Sequence, residues 1–375
     1  MDFDLTTEQE MLRDTVRDIL ARGYSPEART RITDTELGWD PQLWQTFAEV
    51  GLLGLTFAEE DGGMGAGPLE AMLVLTEIGR KLAPEPLLDC ALLPGGLIAA
   101  VGSDAQRKGL LPKVAEGDLR LAFAHAESGV RWPSAELTTQ AVQHGDGWQI
   151  TGVKHPVAHG DCADLLIVSV ALTDGGMGLF LVDPADPGVR RTTYRTHDGL
   201  RGATIEFEGA TAEPLGSATD VSDPIEAALA GAQAALCAEA VGAMEESLRL
   251  TAEYLKTRKQ FGVPLRAFQA LTQRAADMYV SLELARGMSM YASMSLADGI
   301  TDPVVASRAK LRVGRSARHI GQEAIQLHGG IGMTAEYPVG HYTARLTAIE
   351  HTLGDSSDHL RRLGEYVGDY QMVEI

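Results

Sequence analysis

Three textures of hydrophobic spacing divide the chain. In "TTEQEMLRDTVRDIL" the residues Leu12, Val16, Ile19 and Leu20 recur at three- and four-residue steps, which puts them on one face of a helix. Thr7 stands three residues before Glu10, the spacing of a capping box. "PLEAMLVLTEIGRKL" places Pro68 in a first helical turn, and "SDAQRKGLLPKVAEGD" opens on a Ser103 cap and ends at Gly117. Residues 1–118 are therefore expected to form an N-terminal α-helical domain.

From residue 119 the period shortens to that of strands. "LRLAFAHA", "LTTQAVQ", "GWQITGVK", "DLLIVSVAL", "GLFLVD" and "ATIEFEG" are short β-type runs, with turn signals such as "HGDG" and "TDGG" between them. Pro-rich "DPADPG" and the close spacing of the runs favour a small antiparallel barrel or sandwich over βαβ units. A central β domain is expected over 119–222. After Pro224 helical spacing returns over 224–258, 267–297, 303–327 and 338–369, which predicts a C-terminal four-helix bundle over 223–375. The fold class is α+β, mostly α. The last helical stretch is interrupted by "HTLGD", whose Gly354 breaks the pattern and leaves Leu353 at the lip of a turn.

Composition narrows the function classes. Lys plus Arg number 32 against 52 Asp plus Glu, a net charge of −20, so a nucleic-acid backbone or an anionic membrane is repelled on average. Cys90, Cys162 and Cys237 are isolated, without CxxC spacing, which indicates a reducing compartment and no disulfide framework. "MDFDLTTEQE" has neither the basic nor the apolar region of a secretory signal, and no apolar run is read as approaching a bilayer span; a cytoplasmic location is expected.

Four stretches carry possible chemistry. "TRKQFGVPLRAFQ" joins two helices and combines Arg258, Gln260, Phe261, Gly262 and Gln269: a fork for phosphate oxygens, an aromatic plane and amides that read a ring edge. A solvated helix end with a glycine cap reads the same way. "IQLHGGIGMTAEYPV" ends a helix with Gly329, Gly330 and Gly332, where backbone can approach a ligand or simply stop the helix. "DGGMGAG" lacks the strand and helix that a phosphate loop needs. His155 and His159 are four apart, but Pro156 lies between them in a β-type region, so no metal is expected there.

Together "GDGWQITGVKH", "YLKTRKQFG" and "AIQLHGGIGMTAEYPV" resemble the acyl-CoA dehydrogenase family over essentially the whole chain. The resemblance implies a flavoprotein that removes two hydrogens across Cα and Cβ of an acyl-CoA thioester. FAD is the implied hydride acceptor, a carboxylate is the base, and an electron-transfer flavoprotein is the redox partner. In relatives FAD lies across a subunit interface. By resemblance Arg258, Gln260, Phe261, Phe268, Gln269, Gln326, Gly329 and Gly330 make the contact to the adenine and pyrophosphate end.

The resemblance implies a different state for the other half. The family's flavin loop falls on "AESGVRWP", so its hydroxyl donors become Ala126 and Trp132, and the ring-packing Trp-Ile-Thr becomes Pro156, Val157 and Ala158. The usual catalytic Glu falls on Leu353, and the alternative position on Ala232. Glu239 and Asp355 are the two carboxylates that could stand in as bases. Asp355 also has a plainer role, as a helix N-cap. The expected protein is a partner subunit that completes the FAD site of a sister chain, similar to the α2β2 dehydrogenases of actinobacterial sterol side-chain degradation. A homomeric enzyme with a relocated base and a FAD-free scaffold are the alternatives.

Overall fold

In the computed structural model the described residues are 5–129, 132, 137–145, 147–173 and 175–369. Helix α1 (Thr7–Gly23) starts on a reciprocal cap: the Thr6 hydroxyl accepts the Gln9 N–H at 3.2 Å and Gln9 Oε1 accepts the Thr6 N–H at 3.0 Å. The box expected at Thr7 and Glu10 therefore sits one residue earlier. The pattern occurs twice in succession, and Thr6 has the extended backbone, φ −69° and ψ 162°, that an N-cap requires. The helices α2 (Pro26–Thr33), α3 (Pro41–Glu49), α4 (Pro68–Lys81), α5 (Leu93–Val101) and α6 (Asp104–Ala115) follow. Ser103 caps α6 through Gln106 as its sequence predicts.

Seven strands come next: β1 (Leu121–Ala124), β2 (Gln140–His144), β3 (Gly147–Ala158), β4 (Leu165–Ala171), β5 (Met177–Val182), β6 (Val189–Arg195) and β7 (Arg201–Pro214). Pairings β4–β2–β3–β7–β5–β4 close a ring around Ile150, Val168, Phe180, Ile205 and Phe207, each at most 1% exposed. Burying each such side chain contributes about 1.5–3 kcal/mol. The ring is not wholly antiparallel: β4 runs parallel to both β1 and β2. Strand β6, "VRRTTYR", has no apolar alternation because it is an exposed strand laid on β7 alone.

The C-terminal helices are α7 (Ser222–Thr257), α8 (Gln269–Ala297), α9 (Pro303–His328), α10 (Val339–His351) and α11 (Ser356–Glu365). A two-residue hairpin, β8 (Lys259–Gln260) and β9 (Val263–Pro264), joins α7 to α8. The fourth expected bundle helix is thus two helices, α10 and α11, separated by the "HTLGD" turn. Helix α7 is long and apolar enough by composition to cross a membrane, which corrects the sequence reading, yet 78% of its most apolar window is buried inside the fold. It is a core helix.

The texture changes near 118 and 222 mark changes of element type. By packing the chain forms two compact units, one of Met1–Arg29, Pro68–Ala83 and Gln233–Ile375, the other of Thr30–Gly67 and Pro84–Ala232.

Candidate functional site

In the first unit, α10 ends and the backbone turns through two successive left-handed residues, Leu353 at φ +54° and Gly354 at φ +92°. For leucine this conformation costs roughly 1–2 kcal/mol, so its surroundings must impose it. They do so through the carbonyl. Leu353 O accepts from Gln233 Nε2 and from His359 Nε2, both at 3.0 Å. His359 is fully buried, and burial pushes its pKa down to about 4, so the neutral ring can donate to that carbonyl at physiological pH. Beneath the turn the buried Lys310 ammonium donates to Ile349 O at 2.6 Å, and burial lowers its pKa to about 8.

The two stand-in carboxylates are both engaged. Asp355 Oδ1 accepts the N–H groups of Ser357 and Asp358 at 2.8 and 2.9 Å, capping α11. Glu239, 5% exposed, forms a two-pronged pair with Arg345 at 2.6 and 2.8 Å. A carboxylate held in this way has its acceptor oxygens committed to a fixed cation. Ala232 is a buried position of α7.

The residues that the resemblance assigns to the adenine end lie on the same unit. The hairpin tip is Phe261 and Gly262, at φ +53° and +83°, the two positive angles of a type I′ turn. Phe261 is 91% exposed, and its ring meets Phe268 edge-on at 6.1 Å. Among the described residues, the side chains of Arg258, Gln260, Gln269 and Gln326 make no hydrogen bond or ion pair, and all four are exposed. Gly329, at φ +65°, and Gly330 are exposed, and a Cβ on either would meet nothing within 4 Å. No packing inside this chain requires glycine at 330. A guanidinium, free amides, a bare aromatic face and a backbone open to close approach form a donor set that suits an anionic, aromatic ligand such as a dinucleotide.

Three rings that were not singled out from sequence hold this surface in place. Tyr254 stacks on His328 at 4.5 Å, and Tyr337 packs on both, at 4.9 Å from His328 and 6.2 Å from Tyr254. They tie the end of α7, which carries Arg258, to the end of α9, which carries Gly329.

The second unit contains the loop that the resemblance assigns to the flavin end. Of "AESGVRWP", residues 130, 131 and 133 lie outside the described residues. Ala126 has no side-chain donor, and its carbonyl accepts the His155 N–H at 2.8 Å. Val157 is buried in the barrel core, whereas Pro156 and Ala158 are exposed. The loop is anchored by an ion pair that sequence reading missed. Lys154, with 0% exposure, donates to Glu127 Oε1 at 2.7 Å, to His125 O at 3.0 Å and to Ser169 Oγ at 3.3 Å. Burial raises the Glu127 pKa, but Lys154 and the Thr138 hydroxyl and amide outweigh it and hold the carboxyl at about 2. Burial brings Lys154 down to about 8. A lysine at an inward-facing strand position was the available signal.

The order of helical segment, β barrel and helical segment, with these sites upon it, has counterparts. Family models for the N-terminal, middle and C-terminal domains of acyl-CoA dehydrogenase match residues 6–118, 122–209 and 224–367. Acyl-CoA dehydrogenase FadE27 of Mycobacterium tuberculosis is 30% identical over 98% of this chain and 99% of its own length. This chain belongs to the acyl-CoA dehydrogenase family. Two solved structures extend the likeness of this family member. A variant of the Tcur3481-Tcur3483 steroid ACAD is 34% identical, with a TM-score of 0.89 over 96% of this chain and 98% of that one. The ChsE4-ChsE5 complex from Mycobacterium tuberculosis is 29% identical, with a TM-score of 0.91 over 99% and 100%.

Proposed function

We propose that this chain is one subunit of an FAD-dependent acyl-CoA dehydrogenase and completes the FAD site of a sister chain that carries the catalytic Glu. The observation that carries this reading is an asymmetry between its own two halves. The side chains of Arg258, Gln260, Gln269 and Gln326 are exposed and uncommitted, while the resemblance assigns Leu353 to the base position and Ala126 to the flavin-donor position. The likeness to two structures whose names pair unlike chains supports it.

On this reading Arg258 holds a pyrophosphate oxygen of FAD. Gln260, Gln269 and Gln326 hydrogen-bond the dinucleotide, Phe261 and Phe268 cover an aromatic face, and Gly329 and Gly330 let backbone approach. When bound, FAD supplies the acceptor for the substrate β hydrogen; the α proton goes to the sister chain's carboxylate. Leucine has no proton-accepting group, and Glu239 and Asp355 are tied to Arg345 and to the N-terminus of α11. The substrate is an acyl-CoA thioester, and electrons leave through an electron-transfer flavoprotein.

Co-expression with the sister chain tests the reading. The complex should purify flavin-loaded and this chain alone colourless, and Arg258→Ala should strip FAD from the assembly. Yellow protein from this chain alone, bleached by an acyl-CoA, would instead establish a self-sufficient enzyme.

A further inference from the structure

One face of the α8–α9 helix pair, in the first compact unit, is built for contact and has no cover within the chain. The two helices run antiparallel, tied by Arg274 to Glu323 at 2.5 and 2.9 Å and by the Ser316 hydroxyl, which donates to the Ser281 carbonyl at 2.9 Å. Val280 precedes Ser281 and Arg315 precedes Ser316, so each lies about 100° round its own helix from that contact. In an antiparallel pair, equal turns of the same sense lead to the same side. Steps of three and four residues extend this side along α8 through Leu284, Gly287 and Tyr291, and along α9 through Arg312, Arg315 and His319.

The α8 row is apolar and open. Val280 is 56% exposed, Leu284 50% and Tyr291 42%, and a Cβ on Gly287 would meet nothing within 4 Å. The α9 row is cationic and unpaired. Among the described residues Arg312 and Arg315 make no hydrogen bond or ion pair, and Arg312 Nε is buried without a partner. Asp277, on the same row of α8, pairs with neither. In a chain with 32 basic and 52 acidic residues, two adjacent arginines without a carboxylate reverse the overall charge locally. A shielded guanidinium N–H costs free energy until an acceptor reaches it. The two rows run on to Gln269 and Gln326, and from Gln269 to Tyr291 the α8 row is about 33 Å long, a length that suits a protein surface.

We infer that this face seats the sister chain and that Arg312 and Arg315 select it, by pairing with carboxylates on the surface that the sister chain presents. The inference rests on the half-site reading above and adds to it the chemistry that chooses the partner. The apolar α8 row supplies the area to be buried, and the arginines supply the discrimination. In a twofold pair of identical chains the same face would meet itself. Its excess of arginine over Asp277 then opposes self-pairing, whereas an acidic counter-surface is attracted.

The test is dissociation of the co-expressed complex on dilution, followed at rising salt. Arg312→Glu/Arg315→Glu should dissociate at least tenfold more readily than wild type, and Arg312→Lys/Arg315→Lys should stay within about threefold of it. The wild-type complex should loosen as salt rises, and Arg312→Gln/Arg315→Gln should flatten that dependence. A glutamate double variant as tight as wild type, with the same salt dependence, overturns the inference and leaves the half-site reading standing. That reading has its own test in the loss of FAD from Arg258→Ala, which reads flavin and not affinity. If the glutamate variant does not fold, the wild-type complex decides: dissociation unmoved by salt sinks the inference. An isolated wild-type chain that self-associates as tightly as it holds the sister chain sinks it as well.

Discussion

At the scale of single residues, Glu127 and Lys154 show how a buried charge can anchor a loop. Lys154 is wholly enclosed, and Glu127 gives it an acceptor at 2.7 Å while itself receiving Thr138 and Thr139. Removing one partner strands the other in a low-dielectric interior, so Glu127→Gln should destabilise the chain by about 3 kcal/mol or more in urea unfolding at neutral pH. The pH dependence has a definite sign. The Glu127 carboxyl titrates at about 2 when folded, against 4.5 unperturbed. The unfolded chain binds the proton first as pH falls, so this stabilisation is complete above 4.5 and is lost on descending towards 2. The gap between wild type and Glu127→Gln should therefore narrow across that window. A gap of constant width would assign the cost of the substitution to packing instead. Neither residue was legible as a pair in the sequence, because they are 27 positions apart and only the closed barrel brings them together.

At the scale of elements, the contact between α4 and α7 depends on two glycines. A Cβ at Gly79 would lie 1.9 Å from Glu239 O, and one at Gly242 would lie 1.9 Å from Thr76 O. The two helices touch backbone to backbone, so neither position can take even a methyl group without the helices moving apart. Gly79→Ala or Gly242→Ala should lower stability by about 3 kcal/mol, although each raises intrinsic helix propensity by about 1 kcal/mol. Thermal unfolding that shows either variant at or above wild type would refute the close approach. In the sequence these glycines look like defects in apolar helices; their reason is the partner backbone. The helices themselves were legible because caps and spacing are local, as at Ser103 and Pro68. Strand β6 was not, since an exposed strand paired on one side needs no alternation, and only Thr192, Thr193 and Tyr194 hinted at it. The "HTLGD" turn was legible as a break, but not the clamp on its carbonyl, whose donors come from α7 and α11.

At the scale of the whole molecule, the half-site reading makes a claim about what a single restored carboxylate can do. Leu353→Glu adds an acid at the position that the resemblance assigns to the family's base, without a new backbone demand. The clamps from Gln233 and His359 act on the carbonyl oxygen, not on the side chain, and glutamate tolerates φ +54° about as well as leucine does. The turn should persist, and the variant should assemble with the sister chain as wild type does. If the chain holds only the adenine end of a partner's FAD, the new carboxylate faces no flavin of its own, because Ala126 still provides no hydroxyl donor. Flavin content and turnover per complex should then stay at the wild-type level, and Leu353→Glu alone should remain colourless and inactive. If the chain instead binds a complete flavin and lacks only the base, the same substitution creates a second working site, and turnover per complex should rise about twofold. Flavin stoichiometry measured beside steady-state rates separates the two outcomes, since the first predicts one FAD for each unlike pair and the second predicts one for each chain.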